Sequence, residues 1–208
     1  MARILTYFVL VIAAVICLFP FVWMVSTSFK PMSDIYSMPP TLIPKHGTIE
    51  NFVEGWKGAN FQLYFKNTAV ITFLATVGTV LSSSVVAYGF ARFQSRLSKI
   101  LFMVLLGTMM LPTQVTLIPQ YLLYYKLGMV DTIWPLIIPS WLGGGAFNIF
   151  LFIQFFRTLP KELDEAAKID GANSLQVFTR ILLPAVKPVM LAVLVMALVF
   201  NWNDFFNP

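Results

Sequence analysis

Long uncharged apolar runs alternate along this chain with short charged or turn-rich connections. No charged side chain interrupts residues 4–29, 67–91, 100–125 or 132–156. A helix needs about 20 predominantly apolar residues to cross roughly 30 Å of hydrocarbon, so each of these runs is long enough to span. A fifth run, 188–203, is shorter. It spans if its helix begins near Pro184, with the Lys187 side chain reaching back to the interface. The pattern predicts an all-α integral membrane protein with about five transmembrane helices. The first run is longer than the 7–15 apolar residues of a signal peptide, so an uncleaved first transmembrane helix fits it better.

The connections orient these helices. Arg92, Arg96 and Lys99 follow the second run with no acidic residue among them, and Arg157, Lys161, Lys168, Arg180 and Lys187 follow the fourth. Basic loops stay in the cytoplasm, which also places Arg3 and the N-terminus there. The segment 30–66 and the connection 126–131 then face outward. The outer segment opens with turn residues (Pro31, Pro39-Pro40, Pro44, Gly47) and continues with Phe52, Trp56, Phe61, Tyr64 and Phe65. Those aromatics suit an interfacial belt, with a partner-docking surface as the other reading. Two parts are expected: 1–66, a first transmembrane helix with an extracytoplasmic segment, and 67–208, a multi-helix membrane domain.

Composition agrees. The chain is 58% hydrophobic and only 11% charged, against about a quarter charged in a soluble domain that must wet its surface. The net charge of +5 forms no basic stripe, which argues against nucleic acid as a partner. Cys17 stands alone in an apolar run and His46 alone among turn residues, so neither a disulfide nor a metal site is expected. A membrane enzyme would need a catalytic cluster, and these few titratable residues offer none; no catalytic residue and no cofactor is expected. A secondary transporter would show internal repeats and ionisable residues near the midplane, and neither is evident. The phosphate-binding G-x-x-x-x-G-K-[ST] loop is missing from the sequence, so any ATP hydrolysis belongs to another subunit. Gly143-Gly144-Gly145 lies in an apolar run, where it permits close helix packing or a bend. Pro112, Pro119, Pro135 and Pro139 bend or interrupt helices.

The most specific stretch is 157–184, R-T-L-P-K-E-L-D-E-A-A-K-I-D-G-A-N-S-L-Q-V-F-T-R-I-L-L-P. Pro160 suits a first helical position, and Glu162, Asp164 and Glu165 sit near that helix's positive end. Gly171 can end the helix in a left-handed conformation. Asn173 can cap a second helix, with Gln176 completing a capping box. Pro184 marks the turn into the fifth membrane helix. The product is two short cytoplasmic helices at a sharp angle. Helical spacing puts Leu163, Ala166, Ala167 and Asp170 on one face of the first, and Leu175, Phe178, Ile181 and Leu182 on one face of the second. An amphipathic loop lying on the membrane is the alternative that shape alone leaves open.

The segment resembles the EAA loop of binding-protein-dependent ABC importer permeases: E-A-A, three residues, G, nine residues, I-x-L-P. Glu165-Ala166-Ala167, Gly171, Ile181, Leu183 and Pro184 meet every position. Nearly the whole chain is similar to the smaller membrane subunit of maltose-type carbohydrate permeases, through A-Y-G-F-A-R-F (87–93), M-L-P-T-Q-V-T-L-I-P-Q-Y (110–121), K-L-G-M-V-D-T (126–132), F-F-R-T-L-P-K-E-L (155–163) and N-W-N-D-F (201–205). The resemblance implies a type-1 permease domain over 67–208, in a multi-pass protein of the cytoplasmic membrane. It implies two ATP-binding cassette subunits per complex, a second homologous permease subunit and an extracytoplasmic sugar-binding protein as partners. It also implies that Glu165, Ala166, Ala167, Asp170, Gly171, Ile181, Leu183 and Pro184 couple to the ATPase. A permease for a non-sugar solute is the alternative.

Two departures stand out. Ile153 precedes Gln154 where many relatives have a basic residue. The chain also stops at Pro208, where relatives with six helices continue, so a truncated product or fragment is expected. Polar residues inside the apolar runs are candidates for the translocation path or for helix contacts: Thr113, Gln114, Gln120, Asn148, Asn201, Asn203 and Asp204. Ser82-Ser83-Ser84 and Thr76 are expected to bond their own helix backbone.

Overall fold

A computed structural model describes residues 2–58 and 60–207. Among them every regular element is helical, as expected. The chain divides into two compact units, Met1–Phe65 and Lys66–Pro208.

In the first unit, α1 (Ala2–Ser28) is one 27-residue helix with apolar side chains exposed around its circumference. A helix that is hydrophobic all round and this long suits a membrane span. The turn after α1 satisfies the carbonyls of Ser26 and Thr27 through the amides of Phe29 and Lys30, and the loop beyond meets those that follow. Asn51 Nδ2 donates to the carbonyls of Ser28 (3.0 Å) and Lys30 (2.7 Å), and the Thr48 amide donates to that of Phe29. Lys30 is buried; its ammonium donates to the Thr41 carbonyl and lies 4.6 Å from the centre of the Trp23 ring. Two short helices follow, α2 (Met32–Ile35) and α3 (Glu50–Gly58). Phe52 packs on Phe29, and Trp56 on Phe61 and Phe65, so the aromatics of residues 52–65 are organised as ring clusters.

The second unit is organised around α4 (Phe61–Arg92), whose buried row is made of small residues: Thr72, Ala75, Thr76, Thr79, Ser83, Ala87 and Ala91. Small side chains at three- and four-residue spacing let neighbouring backbones approach closely. Thr79 and Gly144 show how close: a Cβ on Gly144 would sit 2.5 Å from the Thr79 carbonyl oxygen. Gly78 leaves room for the Trp141 ring in the same way, and the Trp141 indole donates to the Leu74 carbonyl (3.1 Å). The serines behave differently from one another. Ser83 and Ser84 bond their own helix, as expected, to the carbonyls of Thr79 and Leu81. Ser82 instead donates across to the Ser140 carbonyl (2.7 Å). The buried Thr76 hydroxyl, expected to bond its own helix, has no hydrogen-bond partner among the described residues.

Not every expected span is one continuous helix. Among the described residues three helical stretches are long and apolar enough to cross a membrane, Arg3–Ser28, Phe61–Arg92 and Trp134–Thr158, or up to four with one bent pair. The run 100–125 is broken into α5 (Arg96–Thr108) and α6 (Thr113–Lys126). Pro112 explains the break, since it disfavours helical geometry at Leu111 and cannot donate a backbone bond. The run 132–156 is α7 (Trp134–Trp141) and α8 (Ala146–Thr158), hinged at Gly143, Gly144 and Gly145, all at positive φ. That triplet interrupts the helix, and Gly144 provides the close packing on α4. Ile153, at the departure from the family pattern, is fully buried in the core beside Phe152 and Phe156, while Gln154 is exposed.

Candidate coupling surface

Beyond α8 the chain builds two short helices by local chemistry. The first, α9 (Glu162–Ile169), carries Glu162, Asp164 and Glu165 in its first turn, where the helix dipole favours negative charge. It begins two residues after Pro160, with Lys161 as N-cap, so Pro160 precedes the helix rather than opening it. At the other end Gly171 has φ 83°, its amide bonds the Lys168 carbonyl and the Ala172 amide bonds that of Ala167. This double closure is the Schellman motif, and it reverses the chain at Gly171. Asn173 and Gln176 then form the expected capping box at 2.9 and 2.8 Å, opening α10 (Ser174–Val177). A π-helical turn (Phe178–Leu182) and α11 (Leu183–Ala185) extend it. The chain then bends by 80° into α12 (Lys187–Trp202). The turn into the membrane helix therefore lies at Val186, after Pro184 rather than at it.

The packing divides the residues expected to share a face. On α9, Leu163, Glu165, Ala166, Ile169 and Asp170 are exposed, whereas Ala167 is 6% exposed and belongs to the core. On the second helix Val177, Phe178 and Leu182 are buried, Ile181 and Leu183 are half-buried, and Leu175 and Pro184 are exposed. The outward surface is thus a short apolar and acidic ridge ending at the exposed Gly171. Ala167 supports it from beneath.

The ridge is tied to the end of α4 by residues that sequence reasoning assigned no role there. Arg92 Nε lies 2.6 Å from Asp164 Oδ2, as an ion pair rather than an aligned hydrogen bond. Both terminal nitrogens of Arg92 donate to the Leu159 carbonyl at 3.3 Å. The two side chains are 7% and 13% exposed. One helical turn earlier, the Tyr88 hydroxyl donates to the Ser174 carbonyl (3.2 Å), and its ring packs on Phe178 and Phe156. Arg157 lies over the Phe102 ring at 5.1 Å, joining α8 to α5. In the sequence Arg92 reads only as an orienting charge and Asp164 only as a helix-dipole partner.

Several of the polar residues proposed for a path bond groups of their own segment. The Thr113 side chain lies outside the described residues. Gln114 is exposed, and Gln120, also exposed, donates to the Tyr124 hydroxyl (2.9 Å). Asn148 donates to the Gly144 carbonyl (2.7 Å), steadying the glycine hinge. Asn201 and Asn203 bond the carbonyls of Ala197 and Val199 one turn back. Asp204 accepts from the amides of Phe206 and Asn207, closing a turn. A shallow groove of about 350 Å³ beside Ser82, Val85, Trp141 and Leu142 contains none of these residues.

Comparison with known proteins gives the family of the chain. The family described as the binding-protein-dependent transport system inner membrane component matches residues 80–207, which hold the whole helix pair and its Arg92 anchor. The lactose transport system permease protein LacG of Rhizobium radiobacter is 33% identical, over 99% of this chain and 74% of its own. The sn-glycerol-3-phosphate transport system permease protein UgpE of Yersinia enterocolitica is 34% identical, over 96% of this chain and 72% of its own. A bacterial ABC transporter involved in the import of the acidic polysaccharide alginate has the same fold in its crystal structure, with a TM-score of 0.88 at 23% identity, covering 97% of this chain and 71% of that one. The chain spans about two thirds of the length of several curated relatives that it matches. It belongs to the family of binding-protein-dependent transport system inner membrane components, the permeases of ABC transporters.

Proposed function

We propose that this chain is part of the membrane-spanning permease subunit of an ATP-driven, binding-protein-dependent sugar importer. The observation that carries this is the exposed ridge of Glu165, Ala166, Ile169 and Asp170, closed by the Gly171 elbow and anchored on a membrane-spanning helix. Two ATP-binding cassette subunits hydrolyse ATP, and one of them seats this ridge. A second permease completes the path, and an extracytoplasmic binding protein delivers the solute. Rocking of the paired permeases opens the path to alternate sides. The N-terminus and residues 157–184 face the cytoplasm.

Sugar is the preferred solute because LacG, whose name gives lactose as its cargo, aligns along nearly the whole chain. UgpE, named for sn-glycerol 3-phosphate, supports a polyol phosphate as the second reading. The test is uptake by vesicles holding the full-length permease, its partner permease and its ATPase, with the cognate binding protein outside. A sugar panel and sn-glycerol 3-phosphate are offered in turn. ATP-dependent accumulation of a neutral sugar is expected. Accumulation of sn-glycerol 3-phosphate alone moves the assignment to the second reading, and accumulation of none of them defeats the importer reading for this solute class.

A further inference from the structure

The coupling reading identifies which surface meets the ATPase, but not how its movement reaches the membrane helices. Two polar links join α4 to the helix pair. One is the Arg92 guanidinium, which pairs with Asp164 and also donates to Leu159. The other is the Tyr88 hydroxyl on Ser174. Asp164 directly precedes Glu165, and Leu159 precedes the first turn of α9, so Arg92 grips both the approach to the ridge and the ridge helix itself. Ring and aliphatic packing beneath the ridge can slide. A planar guanidinium whose two terminal nitrogens hold the Leu159 carbonyl is fixed in direction, and its charge then holds the Asp164 carboxylate at short range. The second carboxylate oxygen, Asp164 Oδ1, is buried without a hydrogen-bond partner among the described residues. Asp164 is therefore held by this one cation rather than by a broader polar network.

We propose that Arg92 is a positioning residue for energy coupling: through Asp164 and the Leu159 carbonyl it makes α9 and α4 move as one piece, so displacement of the ridge by the ATPase becomes displacement of a membrane-spanning helix. This rests on the coupling reading above. It assigns to Arg92 a role separate from its charge in orienting the chain, and to Asp164 a role separate from contact with the ATPase.

The test uses the full-length permease in its complete complex in proteoliposomes, measuring solute moved and ATP hydrolysed per assembled complex. In Asp164→Asn, ATP hydrolysis is expected to stay within about twofold of wild type, while solute moved per ATP falls by roughly tenfold. Arg92→Lys keeps the charge but loses the planar fork, and a fall of about threefold in the same ratio is expected. The reversed pair, Arg92→Asp with Asp164→Arg, is expected to recover part of the ratio lost by either single change. Hydrolysis and uptake that decline together with the amount of assembled complex would show a merely structural contact. An unchanged ratio in Arg92→Lys overturns the proposal even if Asp164→Asn fails to accumulate. Cross-linking between Ala166→Cys and the ATPase, run in the same wild-type background, separates the two levels. If it is missing, the coupling reading fails; if it is present and the ratio is unaltered, only the role of Arg92 fails.

Discussion

Replacing Gly171 with valine is expected to leave the permease in the membrane but reduce ATP-driven uptake by more than tenfold. The argument depends on the conformation of the residue and not on its surroundings. A Cβ at Gly171 would meet nothing within 4 Å, so no steric clash opposes the substitution. The backbone does: φ is 83°, a left-handed conformation that costs an L-residue roughly 1–2 kcal/mol, and a β-branched one more. The strain is relieved if α9 continues past residue 170, which opens the two closing bonds at Lys168 and Ala167 and straightens the elbow. Alanine should give a milder loss, about tenfold, and asparagine, which tolerates this region best among the rest, a smaller one. Uptake in vesicles, normalised to permease detected in the membrane, checks the series. Equal uptake across Gly, Asn, Ala and Val would mean that the elbow angle does not matter.

Gly144→Val should act on the fold itself. Here both the conformation and the space oppose a side chain: φ is 68°, and a Cβ would approach the Thr79 carbonyl oxygen to 2.5 Å and its Cα to 2.9 Å. Those are backbone atoms of α4, which cannot swing aside like the end of a side chain. Overpacking and backbone strain together predict a loss of roughly 2–5 kcal/mol. The hinge between α7 and α8 would separate from α4, breaking the Ser82–Ser140 bond and exposing Thr79. Thermal unfolding of the detergent-purified complex reads this directly. Gly107→Ala is the control: it lies within α5 with nothing near its Cβ position, and alanine favours a helix. Comparable melting of Gly144→Val and Gly107→Ala would contradict the packing described here.

The parts of the structure that were legible in the sequence are those written in local chemistry. Gly171, Asn173 and Gln176 each act within a few residues of themselves, so the elbow and the capping box follow from residue type and spacing alone. Membrane composition and the long first and second spans are likewise carried by uninterrupted apolar runs. Three features were not legible for physical reasons. Run length does not reveal that Pro112 and the glycine triplet divide two of the runs, because composition is the same on both sides of a break. Helical spacing groups Ala166 with Ala167, but only the packing of the second unit decides that Ala167 faces the core and Ala166 the outside. The Arg92–Asp164 pair joins residues far apart in the chain, each with a sufficient local explanation, so nothing in either neighbourhood points to the other. The scattered hydrogen bonds of Gln120, Asn148, Asn201 and Asp204 show the same limit: polar residues in apolar runs signal a need for partners, not which partners they find.

The central claim is that the outward ridge of α9 meets an ATPase. The most direct measurement is site-specific cross-linking in membrane vesicles of the complete complex, in a permease with Cys17→Ser and either Ala166→Cys or Ala167→Cys. Because Ala166 is exposed and Ala167 lies in the core, a short bifunctional reagent should join the first position to the nucleotide-binding subunit, with a yield that changes when ATP is added, and should leave the second unlinked. An ATPase adduct at both positions would contradict the orientation of α9. No adduct at Ala166→Cys, with the complex otherwise assembled, would contradict the coupling role and return residues 157–184 to a helix pair lying on the membrane surface.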